Sequence, residues 1–141
     1  MRRVDLVRIV IRDGFCQEQF IYLRERDGGR EFPIVIGRFE AESISRFVND
    51  RPPARPMTHD LLTAVVRDLG ATVDRIAITH LESGTFFAEL HLEEVDGESR
   101  AIDCRPSDAI ALAVRTDAPI YVSEDVLRQV APQGALPDLD I

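Results

Sequence analysis

One stretch constrains the chain more than any other. Ile102-Asp103-Cys104-Arg105-Pro106-Ser107-Asp108 runs straight into six apolar residues, Ala109-Ile110-Ala111-Leu112-Ala113-Val114. Proline suits the first position of a helix, where its missing N–H costs nothing. A carboxylate in the first turn meets the positive end of the helix dipole. A helix that is apolar on every side is a buried helix. Asp103, Arg105, Ser107 and Asp108 are therefore expected at the polar mouth of a helix in the core. Such a mouth suits a functional site and equally suits a plain helix cap.

Around this helix the pattern is mostly of strands and tight turns. Alternation of apolar and polar residues predicts strands over 4–12, 19–24, 31–36, 73–79, 85–95 and 100–104, with a short one at 119–122. Asp13-Gly14, Asp27-Gly28-Gly29, Ser83-Gly84 and Asp96-Gly97 mark the turns. Helices are predicted over 38–49, from Thr58 to a stop at Gly70, from Pro106 onward, and from a Ser123 cap to about 130. Ala41, Ile44, Phe47 and Val48 form the apolar face of the first, with Glu40, Glu42, Ser45 and Arg46 facing away. Leu61, Leu62, Val65, Val66 and Leu69 form the expected buried stripe of the second. Hairpins outnumber crossovers, so the fold class is α+β: a mostly antiparallel or mixed sheet of about six or seven strands with three or four helices. The 141 residues fit one domain over 1–131, and the proline- and acid-rich residues 132–141 read as a frayed tail.

Composition narrows the function. All 17 basic residues are arginine, against 25 acidic ones, for a net charge of -8. A phosphate-binding role must then rest on a local arginine patch or on a cation held by carboxylates, because nonspecific binding to nucleic acid needs clustered positive charge. No apolar run approaches the length needed to span a bilayer, and the N-terminus lacks a signal-peptide pattern, so a cytoplasmic protein is expected. Cys16 and Cys104 lack the spacing of a zinc site and are expected as free thiols. No P-loop, dinucleotide-binding glycine pattern, nucleophile elbow or H-E-x-x-H helix is present, which leaves nucleotide hydrolysis at a P-loop, hydride transfer and serine-hydrolase chemistry unsupported.

Three groups of polar residues remain. In Arg55-Pro56-Met57-Thr58-His59-Asp60, His59 and Asp60 fall in the first helical turn. Asp60 could ligate a divalent metal and His59 could carry a proton; ordinary capping by Thr58 and Asp60 explains the same residues. In the second group, Asp103 and Asp108 could share a cation across the strand-to-helix turn while Arg105 grips a phosphate. An Arg–Asp ion pair beside a helix cap is the plainer account. The third, Glu89, His91 and Glu93, shares one strand face and fits a solvated sheet surface better than a metal site.

Taken in order, Pro33-Ile34-Val35-Ile36-Gly37 with Glu40-Ala41, Arg55 to Leu62, Leu69-Gly70-Ala71, Gly84-Thr85-Phe86-Phe87-Ala88, Arg105 to Ala113 and Pro119-Ile120-Tyr121-Val122 form a series. It resembles the bifunctional nuclease domain family, DUF151, over nearly the whole chain. The resemblance implies an α+β fold, a homodimer, and cleavage of both RNA and DNA as described for plant members. Glu40, Arg55, His59, Asp60, Thr85, Asp103, Arg105, Ser107 and Asp108 fall on motif positions. Together with the residue chemistry this gives a metal-assisted nuclease with little sequence preference. Asp60, Asp103 and Asp108 would hold Mg²⁺ or Mn²⁺, and His59 would be acid or base. Arg55, Arg105 and Ser107 would bind the RNA or DNA substrate. The alternative is a non-catalytic oligomeric binding or regulatory module. Convergence of Asp60 and Asp108 on one open pocket would favour the nuclease, and separate salt bridges would favour the module.

Overall fold

Side-chain alternation sets the sheet. On β1 (Arg2–Val10), β2 (Gln19–Glu25) and β3 (Glu31–Ile36), the core side carries Val4, Ile21, Leu23, Phe32 and Ile34, all 3% exposed or less. On β4 (Thr72–Glu82) and β5 (Thr85–Glu93) it carries Ile76, Ile78, Ala88 and Leu90. β6 (Ser99–Cys104) forms one edge, and the short β7 (Ile120–Val122) lies in the middle. The helices are α1 (Arg38–Val48), α2 (Thr58–Asp68), α3 (Pro106–Thr116) and α4 (Glu124–Val130). The computed structural model describes residues 1–14 and 18–131. Cys16 and the expected tail at 132–141 lie outside them. No helix among the described residues is long and apolar enough to cross a membrane.

The seven strands form one sheet in the order β3-β2-β1-β7-β4-β5-β6. Every pairing is antiparallel except β4 with β7. The fold is thus α+β with a mixed sheet. Phe32 on β3 and Phe86 on β5 stack with ring centroids 6.1 Å apart. In a flat sheet those strands would lie roughly 24 Å apart, at about 4.8 Å per strand. The sheet therefore curls into a trough, and α3 lies in it. Ala109, Ile110, Ala111, Leu112 and Ala113 are each 2% exposed or less, as the unbroken apolar run predicts. Burying Ile110 and Leu112 contributes about 1.5–3 kcal/mol apiece.

The two other long helices depart from their predicted faces. On α1, Ala41 and Ile44 are buried as predicted, but Ser43 and Ser45 are buried with them while Phe47 and Val48 are exposed. On α2, His59 is the buried residue and Val66 packs against the core. The other four residues of the expected stripe face outward, with Leu61 at 59%, Leu62 at 39%, Val65 at 45% and Leu69 at 76% exposure. Periodicity locates a helix's apolar face; whether that face meets the core depends on its neighbours. α2 packs on α3 through a polar contact centred on His59.

Candidate active site at the start of the buried helix

β6 delivers the chain to α3 through Arg105, whose extended backbone (φ −74°, ψ 148°) occupies the N-cap position before Pro106. The Arg105 side chain turns back over the first turn. Its Nε donates to Asp108 Oδ2 at 2.9 Å, and its Nη2 donates to Asp108 Oδ1 at 3.2 Å and to Glu40 Oε1 at 3.1 Å. Glu40 comes from the first turn of α1 and folds back over Gly37, where a Cβ would collide with its carboxylate.

Behind Asp108 lies a chain of hydrogen bonds through all three long helices. His59 Nε2 is 2.8 Å from Asp108 Oδ1, and His59 Nδ1 is 2.6 Å from Ser43 Oγ. Arg115 Nη2 donates to Ser43 Oγ at 2.9 Å, and Arg115 Nε donates to Asp60 Oδ1 at 2.9 Å. The backbone N–H of Met57 donates to Asp60 Oδ2 at 2.9 Å. One neutral assignment satisfies every partner. Arg115 donates to the Ser43 hydroxyl, that hydroxyl donates to His59 Nδ1, and His59 Nε2–H donates to Asp108. Burial pushes the Asp108 carboxyl up, but the hydrogen bonds from Arg105 and His59 outweigh it and hold the pKa below the usual value. Asp60 behaves alike: burial raises it, and the Met57 N–H with Arg115 brings it below normal. Both remain carboxylates at neutral pH.

Two hollows flank Arg105. One, of about 460 Å³, is lined by the end of β3, Gly37, Gly84, Thr85 and Arg105-Pro106-Ser107. The other, of about 550 Å³, lies between α2 and the β5–β6 edge and takes in Asp103, Cys104 and Asp108. Thr85, Phe86 and Arg105 line both. Blocks far apart in the sequence therefore meet at the α3 mouth. The Cys104 thiol is pushed up to about 11, first by burial and then by the charges of Asp108, Asp103 and Glu89, so it stays protonated.

The structure groups some predicted residues and separates others. Glu40, His59, Asp60, Arg105 and Asp108 belong to the one network, and Ser107 is buried in the adjoining wall. Asp60, Asp103 and Asp108 do not form one ligand set. Asp60 faces Arg115, Asp108 faces Arg105 and His59, and Asp103 lies opposite Glu89 across the β5–β6 ladder. Among the described residues, the one set of three acidic or imidazole ligands within 4.8 Å is Glu94, Asp96 and Glu98, in the hairpin at the other end of β5. As arranged, the three predicted acids do not fit a shared divalent cation. Arg55 is exposed in the connector before α2 and makes no ion pair among the described residues. His59 is nearly enclosed, with both ring nitrogens engaged, so it orients Asp108 rather than facing a substrate. Ser43 and Arg115 also belong to the network, and nothing in the sequence singles them out. Ser43 interrupts the apolar face of α1 beside Ile44, and Arg115 follows the buried run of α3 by one residue; neither position carries a motif.

A curled mixed sheet around a buried helix, with an arginine, a carboxylate and an imidazole at the helix mouth, is an α+β domain with a polar site at that mouth. Residues 21–133 match the bifunctional nuclease domain, and the chain belongs to that family. It is 39% identical to an uncharacterized protein of Mycobacterium tuberculosis over 109 residues, covering 77% of this chain and 64% of that protein. It is 32% identical to Bifunctional nuclease 2 of Arabidopsis thaliana over 114 residues, covering 79% of this chain and 35% of the plant protein. Bifunctional nuclease 1 of the same plant is 31% identical over 107 residues, covering 74% and 33%. The chain thus spans just under two thirds of the mycobacterial relative and about a third of the plant ones.

Proposed function

We propose that this domain hydrolyses phosphodiester bonds of RNA or DNA with little sequence preference, and that the phosphate sits at the α3 mouth. The observation that carries this reading is the convergence of Glu40, Arg105, Asp108 and His59 where two hollows meet. The Arg105 guanidinium offers a two-pronged contact to phosphate oxygens, and the helix N-terminus adds its dipole. Arg105 exchanges its carboxylate partners for the substrate. Asp108, so released, takes a proton from the attacking water while His59 and Ser43 hold it in place. As the water oxygen bonds to phosphorus and the bond to the leaving oxygen breaks, Arg105 offsets the negative charge on the non-bridging oxygens and solvent protonates the leaving oxygen. Because the three predicted acids are not grouped, no step runs through Mg²⁺ or Mn²⁺.

The test is a cleavage assay of highly purified protein on single- and double-stranded RNA and DNA, with a chelator arm. Arg105→Ala and Asp108→Asn are each expected to lower the rate by about 10²–10³-fold. Full activity in both variants rejects the site. Activity that survives chelation supports the metal-free scheme, and activity abolished by chelation and restored by Mg²⁺ or Mn²⁺ rejects it.

A second reading has its own support. Asp60 and Asp108 are each matched by an arginine, in separate salt bridges, the arrangement that favours a non-catalytic module. On that reading the domain is a non-catalytic binding module, and purified protein cleaves nothing. Both readings include a homodimer joined through the outward apolar face of α2, since exposed contiguous apolar side chains mark association surfaces.

A further inference from the structure

The far end of the network borders a third hollow, of about 380 Å³, into which Asp60 and Arg115 also face. Its remaining walls come from the end of α1 and the connector that follows. Pro52, Pro53 and Pro56 give it apolar walls, Phe47 adds a half-exposed ring, and Arg46 and Arg51 add positive charge. The Arg46 Nε is buried and has no hydrogen-bond partner. Arg51 is held beside it by a 3.0 Å hydrogen bond from Nη2 to Ser45 Oγ. Asp60 is near enough that the charge of Arg46 helps to lower its pKa, but the hydrogen bonds of its two oxygens go to Arg115 and the Met57 N–H. Asp50 lies at the exposed rim. In a chain of net charge -8, this is a local surplus of guanidinium groups beside flat apolar walls.

We propose that this hollow binds a mononucleotide, with its phosphate on Arg46 and Arg51 and its base against Phe47 and the proline rings. Arginine pairs grip phosphate oxygens, and aromatic faces accept any base by stacking. The volume lies at the small end of the roughly 300–1,000 Å³ usual for small-molecule sites, which suits one nucleotide rather than a strand. The site is distinct from the α3 mouth: Arg46, Arg51 and Phe47 take no part in the hydrolytic scheme, and binding here does not require that scheme to hold.

Isothermal titration calorimetry of the full chain with 5′-AMP, adenosine and inorganic phosphate tests it. One AMP is expected to bind per chain, with adenosine and phosphate each weaker by at least about tenfold. Arg51→Ala and Phe47→Ala, both at exposed positions, are each expected to weaken AMP by about tenfold, with circular dichroism confirming the fold. Arg67→Ala, on the outer side of α2, should bind as the parent does. No saturable AMP binding overturns the proposal. Phosphate or adenosine binding as tightly as AMP overturns it as well, as does loss of AMP binding in Arg105→Ala but not in Arg51→Ala. The readout is binding alone, so failure of the hydrolytic reading leaves it standing, and the reverse also holds.

Discussion

Two arginine–carboxylate networks in this molecule use the same chemistry to different ends. At one end of the sheet, Glu25 is 2% exposed and lies between Arg2, whose Nε donates at 2.6 Å, and Arg30, whose Nε and Nη2 donate at 2.9 Å. Arg30 also reaches Glu124 at the start of α4. Gly28 must be glycine, since a Cβ there would strike the Glu25 carboxylate and its φ is +119°. At the α3 mouth the partners are again matched, but the Arg105 side chain is 64% exposed and borders two hollows. The first network has a closed centre: Glu25 and Arg30 are sealed, while Arg2 and Glu124 at its rim are 43% and 40% exposed. The second has one face sealed by His59 and Ser43 and one face open. Pairing alone therefore does not mark a site; access to a member that can exchange its partner does.

The sharpest way to break this contrast is a pair of isosteric changes. Asp108→Asn should cost about 10²–10³-fold in phosphodiester cleavage while the urea midpoint shifts only slightly. Glu25→Gln should do the opposite. It leaves Arg30 without its buried counter-charge, and about 3 kcal/mol of stability should go, read from urea unfolding, with the rate per folded molecule unchanged. If the two variants behaved alike, the distinction between a closed and an open network would fail.

Acid titration sharpens the same point with a smaller effect. The hydrogen bonds of Arg30 hold Glu25 down against the effect of burial, from its ordinary 4.5 to about 2. A carboxyl depressed in the folded state stabilises above its unfolded pKa and loses that contribution as pH falls through the folded one. Stability should therefore drop between about pH 4.5 and pH 2, and Glu25→Gln should flatten that slope. Urea midpoints measured across this range for both proteins decide it. Asp108 is shifted in the same direction and is less deeply buried, so Asp108→Asn should flatten the slope less.

Ser43→Ala comes next. It removes the partner of His59 Nδ1 without touching Arg105, so about a tenfold loss of rate is expected, with a changed pH–rate profile and KM nearly unchanged. A uniform loss of folded protein with the same profile would mean that Ser43 only holds helices together. The smallest effect on chemistry is expected from Leu69→Glu on the outer face of α2. It should shift the chain toward monomer in light scattering and leave the cleavage rate within about twofold, since Leu69 lies on the outward face and lines none of the three hollows described.

Much of the architecture was legible in the sequence because local rules governed it. Strict alternation marks β2 and β3, Asp-Gly and Ser-Gly pairs mark the hairpins, and Pro106 before an unbroken apolar run marks a helix with no solvent face. The mouth of that helix, with Arg105 and Asp108, followed from the same run. What stayed hidden depends on how helices meet. The apolar period of α2 is plain in Leu61, Leu62, Val65 and Leu69, yet α2 turns His59 inward because Asp108 and Ser43 satisfy the imidazole. Asp60 and Asp108 sit in equivalent first turns, but Arg115 and Arg105 draw them into separate pairs. The sequence spacing of carboxylates does not show which arginine each will meet.

The most direct test is the cleavage rate of the Asp108→Asn protein, purified beside the parent chain and corrected for the folded fraction of each. The account predicts measurable hydrolysis of RNA or DNA by the parent and a loss of at least about a hundredfold in the variant. Equal rates for the two, or no hydrolysis by the parent at all, would contradict it.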